Sequence, residues 1–189
     1  MARVLVPLAQ GCEEIEAVTV IDLLRRAGVE VITAGLDDAV VVASRGTRLV
    51  PDMNLDRALT QDFDMVVLPG GQPGADHLNA DPRIHALLKQ SAGERKYIAA
   101  ICAAPGVLAK AGVLEGRRAT SFPGTLEKLG LRGTTLSEDD VVRDGNIITS
   151  RGPGTAMDFA LTLIEILVGR DTRNRVEAAL QRPRWRGQT

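Results

Sequence analysis

Short, wholly apolar runs alternate with amphipathic stretches along this chain, and that alternation constrains its fold more than any other feature. Arg3–Leu8 is a β-branched run that reads as a buried strand. Glu13–Ala27 follows with Ile15, Val18, Ile21, Leu23 and Leu24 near helical spacing, and Gly28 supplies a stop. Glu30–Ala34 reads as a second strand, and Val40–Ala43 as a further one in a hairpin or side excursion. Asp64–Leu68 is a strand running into the turn Pro69-Gly70-Gly71; Pro82–Ser91 looks helical, and Lys96–Ile101 is again strand. After Cys102, Pro105–Ala111 reads as a helix. Val141–Arg143 and Asn146–Ser150 form a hairpin around Asp144-Gly145, and Pro153 suits the first turn of a long helix to Val168. Strands that are apolar throughout are buried on both faces. The predicted class is therefore α/β: flavodoxin-like (Rossmann-like), doubly wound, with a mostly parallel sheet and helices on both faces.

A length of 189 residues fits one domain, expected over 1–181, with a basic tail over 182–189. That tail, Arg182-Pro183-Arg184-Trp185-Arg186, reads either as a frayed end or as a basic contact arm. A formal net charge of -1 and 3% aromatic residues argue against a nucleic-acid footprint and against base stacking. The longest apolar helix candidate is interrupted by Thr162 and Glu165, so no membrane partner is expected. The first residues do not read as a signal peptide. Two cysteines in such a chain suggest a reducing compartment, and the expected location is the cytoplasm.

In doubly wound sheets, sites form where loops leave the carboxyl ends of strands. Three such ends are informative: Gly11-Cys12-Glu13-Glu14-Ile15-Glu16, Pro69-Gly70-Gly71, and Ala100-Ile101-Cys102-Ala103-Ala104-Pro105-Gly106. The last has the layout of a nucleophile elbow, with one nucleophile between small residues before a helix start. Its helix dipole would favour the thiolate; the competing reading is a buried core cysteine. Glu16 opens onto the same edge, where burial and a nearby thiolate would keep its carboxyl protonated. Glu13 and Glu14 read as simple complements to the helix dipole. The glycine turn would let a backbone amide approach developing negative charge, together with the Ala103 amide.

These segments resemble the ThiJ/PfpI superfamily, and within it the branch of the parkinsonism-associated deglycase and its YajL-like bacterial relatives. Arg25-Arg26-Ala27-Gly28 and Thr149-Ser150-Arg151-Gly152-Pro153-Gly154-Thr155 extend the resemblance, which runs in family order to about Val168. It implies a reactive Cys102 with Glu16 as protonated partner, and oxyanion amides at Gly71 and Ala103. It also implies Arg45 and Gly70 lining the anion pocket, and Arg26 reaching that pocket from the partner of a homodimer built through the first helix. Both arginines also read as ordinary surface cations. Phe122 stands where several members carry a histidine, which excludes a Cys-His dyad there. Ala103 follows the cysteine where protease-like members have histidine, which argues against peptidase activity.

His77 reads as a solvated helix-start residue or as a general base at the cleft rim; His85 is given no role. Cys12 reads as a small packing residue or as a resolving thiol for oxidised Cys102. No metal-ligand cluster is visible, so no cofactor is expected. Two functions are compatible with this reading. In one, the Cys102 thiolate adds to a small dicarbonyl or glycated substrate, as in a glyoxalase or deglycase. In the other, Cys102 is oxidised to sulfinic acid as the centre of a redox sensor or chaperone. A hydratase- or amidotransferase-like reaction lacks a second acid-base group.

Overall fold

The computed structural model describes residues 1–182, so all of the basic tail except Arg182 lies outside the described residues. The chain begins with β1 (Arg3–Leu8), α1 (Glu14–Arg26) and β2 (Glu30–Gly35), followed by the short β3 (Val41–Val42), β4 (Arg48–Leu49) and β5 (Met53–Asn54). Next come α2 (Leu55–Ala58), β6 (Met65–Leu68), α3 (Gly74–Ala80), α4 (Pro82–Gly93), β7 (Tyr97–Ile101) and α5 (Pro105–Lys110). The remainder is β8 (Arg118–Ala119), β9 (Thr135–Leu136), β10 (Val141–Asp144), β11 (Ile147–Ser150), α6 (Ala156–Val168) and α7 (Arg170–Ala179).

Seven strands form the central sheet in the order β10-β11-β7-β6-β1-β2-β5, which is flavodoxin-like. Every pairing is parallel except β10 with β11, the expected hairpin. Side-chain alternation sends Val4, Val6 and Leu8 of β1 to one face, where α1 and α6 cover them with Leu24, Phe159 and Leu163. Leu5 points to the other face and joins Leu78, Ile84, Leu88 and Leu108 from α3, α4 and α5. From β1 the chain winds one way to β2 and the other way to β6 and β7. The crevice of the doubly wound fold therefore lies at the carboxyl ends of β1 and β6.

The expected strands and helices form close to their predicted bounds, with instructive departures. Pro153–Thr155 is a 3-10 turn and the long helix begins only at Ala156. Val41–Val42 pairs with Arg48–Leu49 in a hairpin outside the main sheet. This hairpin is stitched to the β1 loop by Gly11 N–H to Val42 O at 2.8 Å and Ser44 N–H to Cys12 O at 2.8 Å. Three helices escaped the sequence reading. α2 is a single turn started by Asn54, whose side chain accepts from Arg57 N–H. α3 has no capping side chain and runs straight into Asp81-Pro82, which starts α4. α7 is largely charged and buries only Val176 among its own residues. Arg182 reaches back to Asp158 of α6 at 2.7 Å.

The loop after β6 makes the closest approach of any glycine among the described residues. A Cβ on Gly71, whose φ is +88°, would lie 2.4 Å from Glu13 N. Gly28 has a similar φ of +78° but open space around it. Gly28→Ala should therefore cost about 1 kcal/mol, the conformational penalty alone. Gly71→Ala should cost about 3 kcal/mol or more, because backbone must also move. Urea unfolding of the two variants measures the gap, and equal losses would contradict the packing argument.

Candidate active site

The site is assembled from three loops at the carboxyl edge of the sheet. The β1 loop is held to the β6 loop by Glu13 N–H to Gly70 O at 2.9 Å and Gly74 N–H to Gly11 O at 3.2 Å. Glu16 follows in the first turn of α1 and is wholly buried. Its Oε2 accepts from Gly70 N–H at 2.8 Å, while Oε1 is sealed from solvent without a conventional hydrogen-bond partner. The Cys102 thiol lies close enough to this carboxyl to affect its ionisation. Burial raises the Glu16 pKa from 4.5 to about 7; the Glu13 charge adds to the rise, and Gly70 N–H and the Cys102 contact oppose it.

Cys102 sits one residue beyond β7 with φ +64°, in the left-handed region that non-glycine residues rarely enter. Its backbone is pinned on both sides: Cys102 N–H donates to Ser150 O and Phe122 N–H donates to Cys102 O, each at 2.9 Å. Such a conformation costs on the order of 1 kcal/mol and persists because the surrounding bonds over-determine it. Gly70 makes room for the elbow, since a Cβ there would stand 2.7 Å from the Cys102 Cβ. The residue is 9% exposed, so the cysteine, not Glu16, is the member of the pair that solvent reaches.

Two amides, those of Gly71 and Ala103, approach the thiol and lower its pKa. They are outweighed by burial first, then by the charge of an ionised Glu16 and the hydrogen bond to it, which together push the thiol up to about 12. The lowered thiol pKa expected from a helix start therefore does not hold while Glu16 carries its charge. α5 is only six residues long, and a carboxylate beside the sulfur outweighs its dipole. A charged Glu16 raises the thiol, so the pair resists losing its second proton.

The other candidates are distributed around this pair rather than gathered on it. Arg45 is exposed and donates its backbone N–H to Glu14 at 3.0 Å. Arg26 is exposed at the end of α1 and pairs with Asp22 at 2.6 Å. His77 places Nδ1 2.8 Å from Gln10 O and lines a cavity with Leu8, Leu36 and Asp37 that does not include Cys102 or Glu16. Cys12 is fully buried, its Cα 2.6 Å from where a Gly74 Cβ would stand, and burial raises its thiol to about 11. That environment fits a packing residue. Among the described residues no group of three potential ligands could hold a metal ion.

Sequence reasoning missed three contributors. Ser150 and Phe122 fix the elbow through backbone groups, which leave no residue-type signal. Glu14 does more than complement a dipole. Despite partial desolvation its pKa falls to about 2, because its own N–H, the Ser44 hydroxyl and the Arg45 and Thr47 amides converge on it and hold the hairpin against α1.

These features define a doubly wound α/β protein with a cysteine elbow facing a buried carboxyl at the switch point of its sheet. Residues 2–166 match the DJ-1/PfpI family model, and the chain belongs to that family. It is 43% identical over 182 residues to the Parkinson disease protein 7 homolog of Danio rerio, covering 94% of this chain and 96% of that one. It is 38% identical over 173 residues to the glutathione-independent glyoxalase DJR-1.2 of Caenorhabditis elegans, covering 92% and 91%. The crystal structure of Drosophila melanogaster DJ-1beta superposes with a TM-score of 0.92 at 40% identity, covering 97% of this chain and 99% of that one. Protein DJ-1 homolog B of Arabidopsis thaliana is longer: at 43% identity over 171 residues the match covers 89% of this chain but 39% of the relative.

A carboxyl whose pKa is higher folded than unfolded holds its proton more tightly in the folded state. Its contribution to stability is complete below about pH 4.5 and is lost as the pH rises to about 7. Glu16→Gln should remove that slope, so the stability difference between wild type and variant should change by on the order of 3 kcal/mol across this window. Urea unfolding at several pH values reads it; parallel curves would show that the carboxyl is not strained by burial.

Proposed function

We propose that the chain is a cysteine-dependent carbonyl-stress enzyme of glyoxalase or deglycase type. One observation carries this reading: a solvent-reachable sulfur, held at φ +64°, faces a buried carboxyl on one side and the amides of Gly71 and Ala103 on the other. The glyoxalase name of the Caenorhabditis elegans relative supports it.

With the pair holding a single proton on Glu16, the Cys102 sulfur is the anion and adds to the aldehyde carbon of a dicarbonyl such as methylglyoxal. A C–S bond forms, and the carbonyl oxygen takes a proton from Glu16 to give a hemithioacetal. The Glu16 carboxylate then takes the proton from the aldehyde carbon and returns one to the neighbouring carbon. The first carbon is thereby oxidised and the second reduced, with no outside oxidant. Water cleaves the resulting thioester, releasing the hydroxy acid and restoring the thiol. The Gly71 and Ala103 amides would steady negative charge during these steps. A glycated amine or thiol would first leave from the hemiaminal or hemithioacetal carbon, taking a proton and freeing the aldehyde to which the Cys102 sulfur adds, and the same acid would follow by the same route.

Lactate formation from methylglyoxal tests the assignment. Cys102→Ser should lower turnover on the order of a thousandfold, and Glu16→Gln on the order of a hundredfold. Wild-type turnover in the serine variant would overturn the mechanism. A second reading, redox sensing, rests on the same sulfur and the same two amides. Peroxide would oxidise Cys102 to sulfinate with loss of water, and the two amides would hold the anion. Selective oxidation of Cys102 without any dicarbonyl turnover would decide for it.

The chain is further proposed to pair through α1. Ile15 and Val18 stand 54% and 45% exposed on its outer side, and Arg26 would reach the partner's pocket from its end. Val18→Asp should shift a dimer to monomer in sedimentation equilibrium; a monomeric wild type would remove the proposal.

A further inference from the structure

A groove of about 250 Å³ opens directly beside the elbow, between α3, α5 and the segment 124–129. Gln72, which follows Gly71, and Ala103, which follows Cys102, line it. Lys110, at the end of α5, and Lys128 line it as well. Neither lysine has a carboxylate within ion-pair distance among the described residues, whereas Lys96 and nine of the seventeen described arginines do. Lys128 folds back over the turn at Gly124, where a Cβ would lie 3.4 Å from its Cε. On the α3 wall, Asn79 Oδ1 is shut off from solvent without a donor. The single opposing charge is Asp76, exposed at the rim.

We infer that this groove binds the far end of the substrate, and that the substrate class is a small dicarbonyl carrying a terminal oxyanion, phosphate or carboxylate. The inference rests on the carbonyl chemistry proposed for Cys102. Two ammonium groups without a carboxylate partner among the described residues, in a groove lined by the residue that follows Cys102, fit a molecule reactive at one end and anionic at the other. A neutral dicarbonyl would leave these groups unused.

The test compares kcat/KM for methylglyoxal with that for hydroxypyruvaldehyde phosphate and for γ,δ-dioxovalerate, in wild type and in the double variant Lys110→Gln with Lys128→Gln. The ratio of anionic to neutral substrate should fall about tenfold in the double variant, the effect expected from two partly exposed ion pairs. The substrate with the larger fall identifies the oxyanion as phosphate or carboxylate. An unchanged ratio, or equal loss on all three substrates, would overturn the inference. A separate arm uses Cys102→Ser protein, which is free of chemistry. Inorganic phosphate and succinate are titrated by NMR, and shifts at Gln72, Asn79 and Ala103 that vanish on removing both lysines support the groove. Absence of such shifts counts against it even if methylglyoxal turnover is normal. If wild type turns over none of the three substrates, the carbonyl reading fails. The groove then stands or falls on the titration alone.

Discussion

Two adjacent glycines let three loops meet, and the site depends on that meeting. At Gly70 a side chain would strike the Cys102 Cβ at 2.7 Å, and at Gly71 one would strike the Glu13 amide at 2.4 Å. Without side chains, the β6 loop passes between the β1 and β7 loops with its amides exposed to both. Gly70 N–H reaches the Glu16 carboxylate and Gly71 N–H reaches the Cys102 sulfur. The left-handed backbone of Cys102 belongs to the same constraint. Ser150 and Phe122 hold it from the far side through main-chain bonds, so the sulfur is fixed by groups that need no particular side chain.

Within that frame the chemistry is a question of where one proton sits. Burial disfavours both anions and moves Glu16 up to about 7; burial together with a charged Glu16 moves Cys102 up to about 12. Gly70 N–H favours charge on the carboxylate; the amides of Gly71 and Ala103 favour it on sulfur. Below about pH 7 Glu16 keeps its proton, and the proposed attack uses the form in which the sulfur has given up its proton while the carboxyl retains its own. The two proposed readings, turnover and redox sensing, both need the sulfur in its anionic form.

Much of the fold was readable because its signals are local. Apolar runs at Arg3–Leu8, Met65–Leu68 and Tyr97–Ile101 are buried on both faces, so their composition alone announces parallel strands. α2 and α7 were not readable: one is a single turn, and the other buries only Val176 among its own residues, so neither has an apolar stripe to detect. At the site, Cys102 and Glu16 were legible by residue type and position at strand ends. The hairpin clamp through Glu14 was not, because an acid at a helix start looks the same whether it faces solvent or the amides of Arg45 and Thr47.

The sequence by itself determined the alternation of strands and helices, the parallel sheet, and the candidate pair of a cysteine and an acid at strand ends. Those properties follow from periodicity, glycine placement and side-chain chemistry, all of which act over a few residues. Only the tertiary structure decided the sign of the thiol shift, the separation of His77 from the sulfur, and the presence beside the elbow of two lysines without a carboxylate partner among the described residues. Each of these depends on distances between residues far apart in the chain, and electrostatic and solvation energies are set by those distances and by burial.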